Sequence, residues 1–136
     1  MEKTETELLD QLAQTFNTLN AGCVIPYLDE NIKYVSESAE YVIVGKSHVK
    51  KFLRQVCKSI RDYKKKSYLI VGALTPDPDP KGCKPYLLLG QYSDHGSMES
   101  KVTILTKDNL ITEIEIQLLA FTGSSGESIH KKKLVL

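Results

Sequence analysis

Two stretches of the chain repeat apolar residues every three or four positions, which is typical of helices with one buried face. The apolar positions of the first stretch are Leu8, Leu9, Leu12, Ala13, Phe16 and Leu19. Those of the second stretch are Val49, Phe52, Leu53, Val56, Cys57 and Ile60. Each stripe needs another layer to cover it, so the pattern predicts two amphipathic helices packed on a sheet.

Local signals predict where these helices begin and end. Thr4 and Glu7 have the spacing of a capping box, which places the start of the first helix near Thr4. Gly22 is a natural left-handed residue beyond its C-terminal end. Gly45 breaks the chain before the second helix, and Ser47 is a suitable N-cap for it. Residues 23–28 predict a short helix or turn.

The remaining segments have the β-branched and aromatic composition of strands. They cover residues 31–37, 41–44, 67–75, 86–92, 98–107 and 110–121. In the first of them Ile32, Tyr34 and Ser36 share one face, because strand side chains alternate. Gly72 and Gly90 lie inside later strands, where they predict bends or bulges and therefore a curved sheet.

The last hairpin has two possible registers. A turn of residues 108–109 places Val102 and Ile104 beside glutamates, whereas a loop of residues 108–110 pairs them with Ile116 and Ile114. A slip of one residue moves every side chain to the other face, so the apolar pattern favours the three-residue loop. The apolar face then also holds Leu118 and Ala120, and the opposite face holds Glu113, Glu115 and Gln117.

Composition narrows the class of protein. With 136 residues, 41% hydrophobic and 26% charged, the chain is expected to form one globular domain. A formal net charge of +1 argues against a nucleic-acid partner, which selects for a strong basic excess. The lysine runs 64–66 and 131–133 are interpreted as a solvated loop and a solvated tail. Because no apolar run reaches about 20 residues, no membrane association is expected.

The chemistry-bearing residues give no sign of a metal or cofactor site. The three cysteines are widely spaced, and no Cys-x-x-Cys pair occurs. The N-terminus is acidic and unlike a signal peptide. Together these features predict reduced thiols and a cytoplasmic location. His48, His95 and His130 are far apart, with no carboxylate at ligand spacing. There is also no glycine-rich phosphate loop and no nucleophile elbow.

Residues 26–31, Pro-Tyr-Leu-Asp-Glu-Asn, lead into the first strand, and Val44-Gly45-Lys46 precedes the helix predicted from Ser47. With the order of the elements, these segments resemble the nuclear transport factor two-like superfamily, which includes ketosteroid isomerases and polyketide cyclases. The resemblance covers nearly the whole chain. It implies an α+β domain in which a curved, mixed sheet wraps a long helix as a cone with a pocket at its open end, and pairing as a homodimer through the convex face. Its catalytic members use a carboxylate base and hydrogen-bond donors inside the cone.

Three hypotheses about function follow. The first is a pocket for a small, partly apolar ligand, with no catalysis assigned and with the following lining residues: Tyr34, Ser36, Tyr68, Tyr92, Ile116 and Leu118. The tyrosines at 68, 86 and 92 share the even numbering of the inward set. The second is an isomerase, dehydratase or cyclase that uses Tyr34 and Glu115 as an inward acid–base pair, although the register favours an outward Glu115. The third is a protein-interaction module built on the sheet face.

Overall fold

The computed structural model describes residues 4–37, 40–64, 69–74, 85–93 and 96–123, of which 63–64, 69–74, 91–93, 96 and 120–123 are described by their backbone alone. The helices are α1 (Glu5–Thr18) and α2 (Lys46–Lys64), and two short 3₁₀ turns, Ala21–Cys23 and Ile25–Tyr27, lie between α1 and the first strand. The strands are β1 (Leu28–Ser36), β2 (Tyr41–Val44), β3 (Leu69–Leu74), β4 (Leu87–Ser93), β5 (Gly96–Lys107) and β6 (Leu110–Gly123).

The six strands form one mixed sheet in the order β2-β1-β6-β5-β4-β3. Strand β1 runs parallel to β6, and every other neighbouring pair is antiparallel. Helix α2 packs against β1, β2 and β3, and α1 packs against β3 and β5. The buried residues of both helices and of the inward strand positions form one apolar cluster, so the core lies between the helices and one face of the sheet. We call this face concave and the opposite face convex. The predicted α+β cone is confirmed.

Helix α1 begins as its sequence predicts and ends earlier. The Thr4 side chain accepts a hydrogen bond from the Glu7 amide, and the Glu7 carboxylate accepts one from the Thr4 amide, which confirms the capping box. The prediction of Gly22 as the left-handed residue is wrong, because Leu19 adopts that conformation (φ 56°). The Leu19 side chain is buried in the core, so its packing outweighs the backbone cost of a non-glycine residue there. Arg61 donates a hydrogen bond to the Leu19 carbonyl at 2.5 Å and so joins the end of α1 to α2.

Helix α2 starts one residue before its predicted cap. It begins at Lys46, so Ser47 lies within its first turn and is not the N-cap. Gly45 precedes it with a φ of +100°, a conformation that favours glycine. The Gly45 amide donates to the Ile32 carbonyl at 2.8 Å, and its carbonyl accepts from the Val49 amide at 2.9 Å, which ties the helix start to β1. The predicted apolar stripe is buried, with Phe52 partly so.

The β5–β6 hairpin reaches the predicted register by an unpredicted route. Lys107 pairs with Leu110 across a two-residue turn, Asp108-Asn109, in which both residues have positive φ (54° and 66°). These angles are those of a type I′ turn, so the predicted three-residue loop is wrong. A bulge at Thr112 then shifts the ladder by one residue, which restores the predicted pairs Ile104–Ile114 and Val102–Ile116.

The irregularities of the sheet do not fall at its interior glycines. Gly72 and Gly90 sit in ladders with continuous register, so, of the bends or bulges predicted there, no bulge occurs at either glycine. Besides the bulge at Thr112, β6 shifts register between the pairs Ser100–Leu118 and Glu99–Ala120, which leaves Leu119 unpaired. The continuous inward pattern predicted for Leu118 and Ala120 is interrupted at this point.

Candidate functional site

The candidate site lies on the concave face of the sheet, along β1. Tyr34 and Ser36 alternate with outward residues of that strand and are both buried, at 0% and 1% exposure. Tyr34 is flanked by Ile43 of β2 and Ile114 of β6, and Ser36 by Tyr41 and Ile116 of the same strands. The structure therefore brings three of the predicted lining residues together, namely Tyr34, Ser36 and Ile116.

Three aromatic rings meet above this part of the sheet. The Tyr34 ring lies with its centroid 4.7 Å from that of Phe52 of α2 and 6.4 Å from that of Tyr41 of β2, and the last two are 5.9 Å apart. These are contact distances for tilted and edge-to-face rings, so the three form a packed wall with no space for a ligand between them. Tyr41 and Phe52 are only partly buried, so the cluster runs from the core to the surface.

The two hydroxyl groups of this strand are unusual because both are buried without a partner. Within the described part of the chain, neither Tyr34 Oη nor Ser36 Oγ has a hydrogen-bond partner. Leaving a buried hydroxyl unpaired costs about 1–3 kcal/mol, and most such groups in proteins are satisfied. Burial, followed by the neighbouring Tyr41, raises the pKa of Tyr34 well above the ordinary tyrosine value, so this hydroxyl stays protonated and able to donate.

The predicted acid–base pair of Tyr34 and Glu115 is separated by the sheet. Glu115 pairs with Val35 on β1 and Thr103 on β5, so it alternates with the buried residues Ile114 and Ile116 and points to the convex face. The outward position that the register favoured for this glutamate is confirmed. No carboxylate residue is fully buried among the described residues, whose buried polar side chains are those of Thr15, Ser36 and Ser100. One oxygen of the half-buried Glu5, at the start of α1, is also buried without a partner.

The other predicted lining residues are not gathered at this place. Leu118 pairs with the buried Ser100 on the concave side and is 37% exposed beside the bulge at Leu119. Tyr68 lies outside the described residues. Tyr92 lies on β4, where it pairs with Leu69 and Ser97, and its side chain is outside the description.

The even numbering of the inward set does not hold on β4. Its buried positions are Leu87 and Leu89, which are odd. Tyr86, just before β4, lies 4.9 Å under the ammonium group of Lys101, which alternates with the inward residues of β5 and so belongs to the convex side. The inference from numbering is wrong because a long connection separates β3 from β4, and parity carries over only within a continuous strand.

The histidine and cysteine chemistry is structural in the described residues. His48 Nδ1 lies 3.1 Å from the Val44 carbonyl oxygen in the exposed first turn of α2. Cys23 and Cys57 are free thiols. Burial raises the pKa of Cys57, while Arg61 lowers it and Cys23 raises it, each by less than burial does. No group of three metal-ligating side chains occurs among residues that the structure describes. Likewise, neither described helix is long and apolar enough to cross a membrane.

Sequence reasoning missed two features. Ser100 of β5 is buried at 3% exposure opposite Leu89, and its shared parity with Val102 was the available signal. The second feature is the charge of α2, where residues 46–62 hold six lysines and arginines and one carboxylate. These cationic side chains are spread along the helix rather than consecutive in sequence, so a pattern of consecutive lysines does not include them.

Comparison with known proteins identifies the architecture. A steroid delta-isomerase from Pseudomonas aeruginosa superposes with a TM-score of 0.65 at 12% identity, covering 97% of this chain and 92% of that one. An NTF2-like protein of unknown function from Cytophaga hutchinsonii matches with a TM-score of 0.60 at 11% identity, covering 88% and 93% of the two chains. The chain has the nuclear transport factor two-like fold. No family model and no curated protein matches the sequence.

A further structural neighbour was solved with a small molecule. This hypothetical protein with a ketosteroid isomerase-like fold, from Catenulispora acidiphila, is in complex with trimethylamine. It superposes on this chain with a TM-score of 0.57 at 11% identity, covering 84% of this chain and 86% of the other. At such identities the likeness concerns the fold, which hosts many unrelated functions.

Proposed function

We propose that the chain is a single nuclear transport factor two-like domain that binds a small, partly apolar ligand on the concave face of its sheet. The observation that carries the proposal is the pair of unpartnered, buried hydroxyls of Tyr34 and Ser36. Each can donate and accept a hydrogen bond, so a ligand with an oxygen acceptor on an apolar body satisfies both the hydroxyls and the surrounding isoleucines. The trimethylamine complex of one structural neighbour supports the size class of the ligand.

The test is a thermal-shift screen with small cyclic ketones, lactones and tertiary amines, trimethylamine included. A ligand at about 100 times its dissociation constant adds about 2.7 kcal/mol to the free energy of unfolding, which raises Tm measurably. Binding through the hydroxyls predicts that the shift shrinks in the double variant Tyr34→Phe/Ser36→Ala. Thr103→Val, which removes a hydroxyl from the convex side, is the control and should keep the full shift. A screen without any stabiliser, or a shift unchanged in the double variant, contradicts the proposal.

Catalysis of the isomerase, dehydratase or cyclase type has weaker support than binding. Tyr34 is a protonated donor in an apolar setting, which such reactions require for stabilising a developing oxyanion. They also require a base, and the described residues place no carboxylate beside Tyr34. Binding without an assigned reaction, and without a cofactor, is therefore the function that this site supports best.

We also propose that the domain forms a homodimer through the convex face. One row across this face runs Val44, Lys33, Glu113 and Leu105, with Val42 in the next row. Val42, Val44 and Leu105 are 56%, 53% and 44% exposed, which leaves apolar side chains for a partner to cover. Light scattering should give twice the monomer mass for the native chain, and the monomer mass for Val44→Lys/Leu105→Lys. A monomeric native chain contradicts this proposal.

The free thiols of Cys23 and Cys57 support a reducing, cytoplasmic location.

A further inference from the structure

The solvent-facing side of α2 carries a row of positively charged side chains that form no ion pair with any described residue. Lys50, Arg54 and Lys58 follow one another at intervals of four residues, and Lys51 lies beside them. Together with Ser47 and Gln55 they line a surface groove of about 430 Å³. We call these six residues the α2 groove. Its lining contains four cations, two neutral hydrogen-bonding side chains and no carboxylate.

Only Asp62, one turn beyond Lys58, adds a carboxylate to the described part of this helix. No carboxylate among the described residues forms an ion pair with Lys50, Lys51, Arg54 or Lys58. Like charges four residues apart destabilise a helix, and cations in the first turn oppose its dipole. The first turn of α2 holds Lys46 and no acidic residue, whereas α1 places Glu5 and Glu7 in its first turn. The charge pattern of α2 therefore works against the stability of its own helix, which a purely structural surface helix does not need.

We propose that the α2 groove is a docking site for an acidic, extended segment of a partner protein. The cations repeat about every 6 Å along the helix axis, since four residues rise by that distance. Carboxylates on alternate residues of an extended chain repeat about every 6.5 Å, so successive side chains meet successive cations. Ser47 and Gln55 lie among the cations as neutral partners for the backbone groups of such a segment.

Two features favour an acidic protein segment over other polyanions. The six residues of the α2 groove include no aromatic side chain, whereas single-stranded nucleic acids stack their bases on aromatics. The apolar face of α2 is buried in the core, so no apolar part of the helix is left to enter a lipid surface.

The experiment measures fluorescence anisotropy of a labelled peptide of alternating glutamate and serine, about six residues long, so that its extended length matches the roughly 16 Å that residues 47–58 rise along the helix. The expected result is binding at low salt that weakens steeply with added salt, as for exposed charges. The triple variant Lys50→Glu/Arg54→Glu/Lys58→Glu should lose at least about tenfold in affinity, because three attractive contacts become repulsive. Its Tm should stay equal or rise, since the reversed charges alternate favourably with the remaining cations.

A matched pair of single variants distinguishes an effect of the α2 groove on peptide affinity from an effect of the net charge of the protein. Lys58→Glu should weaken binding about threefold, whereas Lys107→Glu, an equal charge change at the exposed end of β5, should leave it within the error of measurement. Equal losses in the two variants, or no binding of the native chain at low salt, would overturn the proposal. Binding of a single-stranded oligonucleotide or of phosphatidylserine vesicles as tight as that of the peptide would also overturn it.

Discussion

The two faces of strand β1 give neighbouring residues opposite environments. On the concave face Tyr34 and Ser36 are buried hydroxyls without partners, whereas Glu37, the residue directly after β1, accepts a hydrogen bond from the convex-side Gln117 of β6 at 2.8 Å. The convex polar groups thus satisfy one another at the surface, and the concave ones are kept dry and unsatisfied. Because a dry, unpaired hydroxyl weakens the free protein, this difference locates the candidate site on the concave face.

The largest expected difference between the faces comes from truncation. Tyr34→Ala removes a fully buried ring that contacts Phe52 and Tyr41, so it should lower the free energy of unfolding by about 3–5 kcal/mol. Val35→Ala, one residue away on the half-buried convex side, should cost about 1 kcal/mol. Urea unfolding of both variants measures the contrast. Similar losses would mean that the convex side is as tightly packed as the core.

The second largest expected effect is a loss of folding stability at alkaline pH caused by the burial of Tyr34. Its pKa is raised in the folded chain, so above about pH 10 the unfolded chain releases this proton while the folded chain keeps it. Stability should then fall with rising pH, by up to about 1.4 kcal/mol per unit, and show no contribution of Tyr34 below that range. Urea unfolding between pH 8 and 11 measures the slope. Tyr34→Phe should flatten it, leaving the same-signed contributions of Tyr41 and Cys57; an unchanged slope contradicts the assignment.

Much of this comparison was predictable from sequence because it depends on short-range patterns. The capping box at Thr4, the apolar stripe of α2 and the inward alternation of β1 were all correct. The errors lie where a local preference competes with packing elsewhere. Leu19 ended α1 in place of Gly22 because its side chain is anchored in the core.

The candidate site was less predictable than the fold. Tyr34, Ser36 and Ile116 share one continuous stretch of sheet, so alternation brought them together correctly. Ala120 lies beyond the bulge at Leu119, and the numbering of Tyr86 crosses a long connection, so parity does not carry over to either residue. That the two hydroxyls lack partners is a property of three-dimensional packing, which a one-dimensional pattern does not contain.

The β5–β6 turn sets the register of β6 and therefore which of its residues lie on the concave face and which on the convex face. Substitutions in this turn test that register. Asn109 has a φ of 66°, and a β-branched residue there should cost about 1–2 kcal/mol. Asn109→Val should therefore destabilise the chain by that amount, whereas Asn109→Gly should be tolerated. Thermal unfolding of both variants measures the difference. If valine were tolerated as well as glycine, a longer loop like the one predicted from sequence would be the better description.

The smallest expected effect is the most specific to the concave face. Removing a hydroxyl that has no partner removes its desolvation cost, so Tyr34→Phe and Ser36→Ala should each leave the free protein as stable as before or more stable, by up to about 1 kcal/mol. Thr103→Val on the convex side removes a hydroxyl near solvent and should change stability by no more than about 0.5 kcal/mol. Paired urea titrations with and without a ligand from the screen measure both quantities. If the concave variants gain stability alone and lose it relative to the native chain when ligand is present, the hydroxyls are kept for binding. If they lose stability without ligand, a partner such as a bound water already satisfies these hydroxyls, and their unpaired state no longer marks a site.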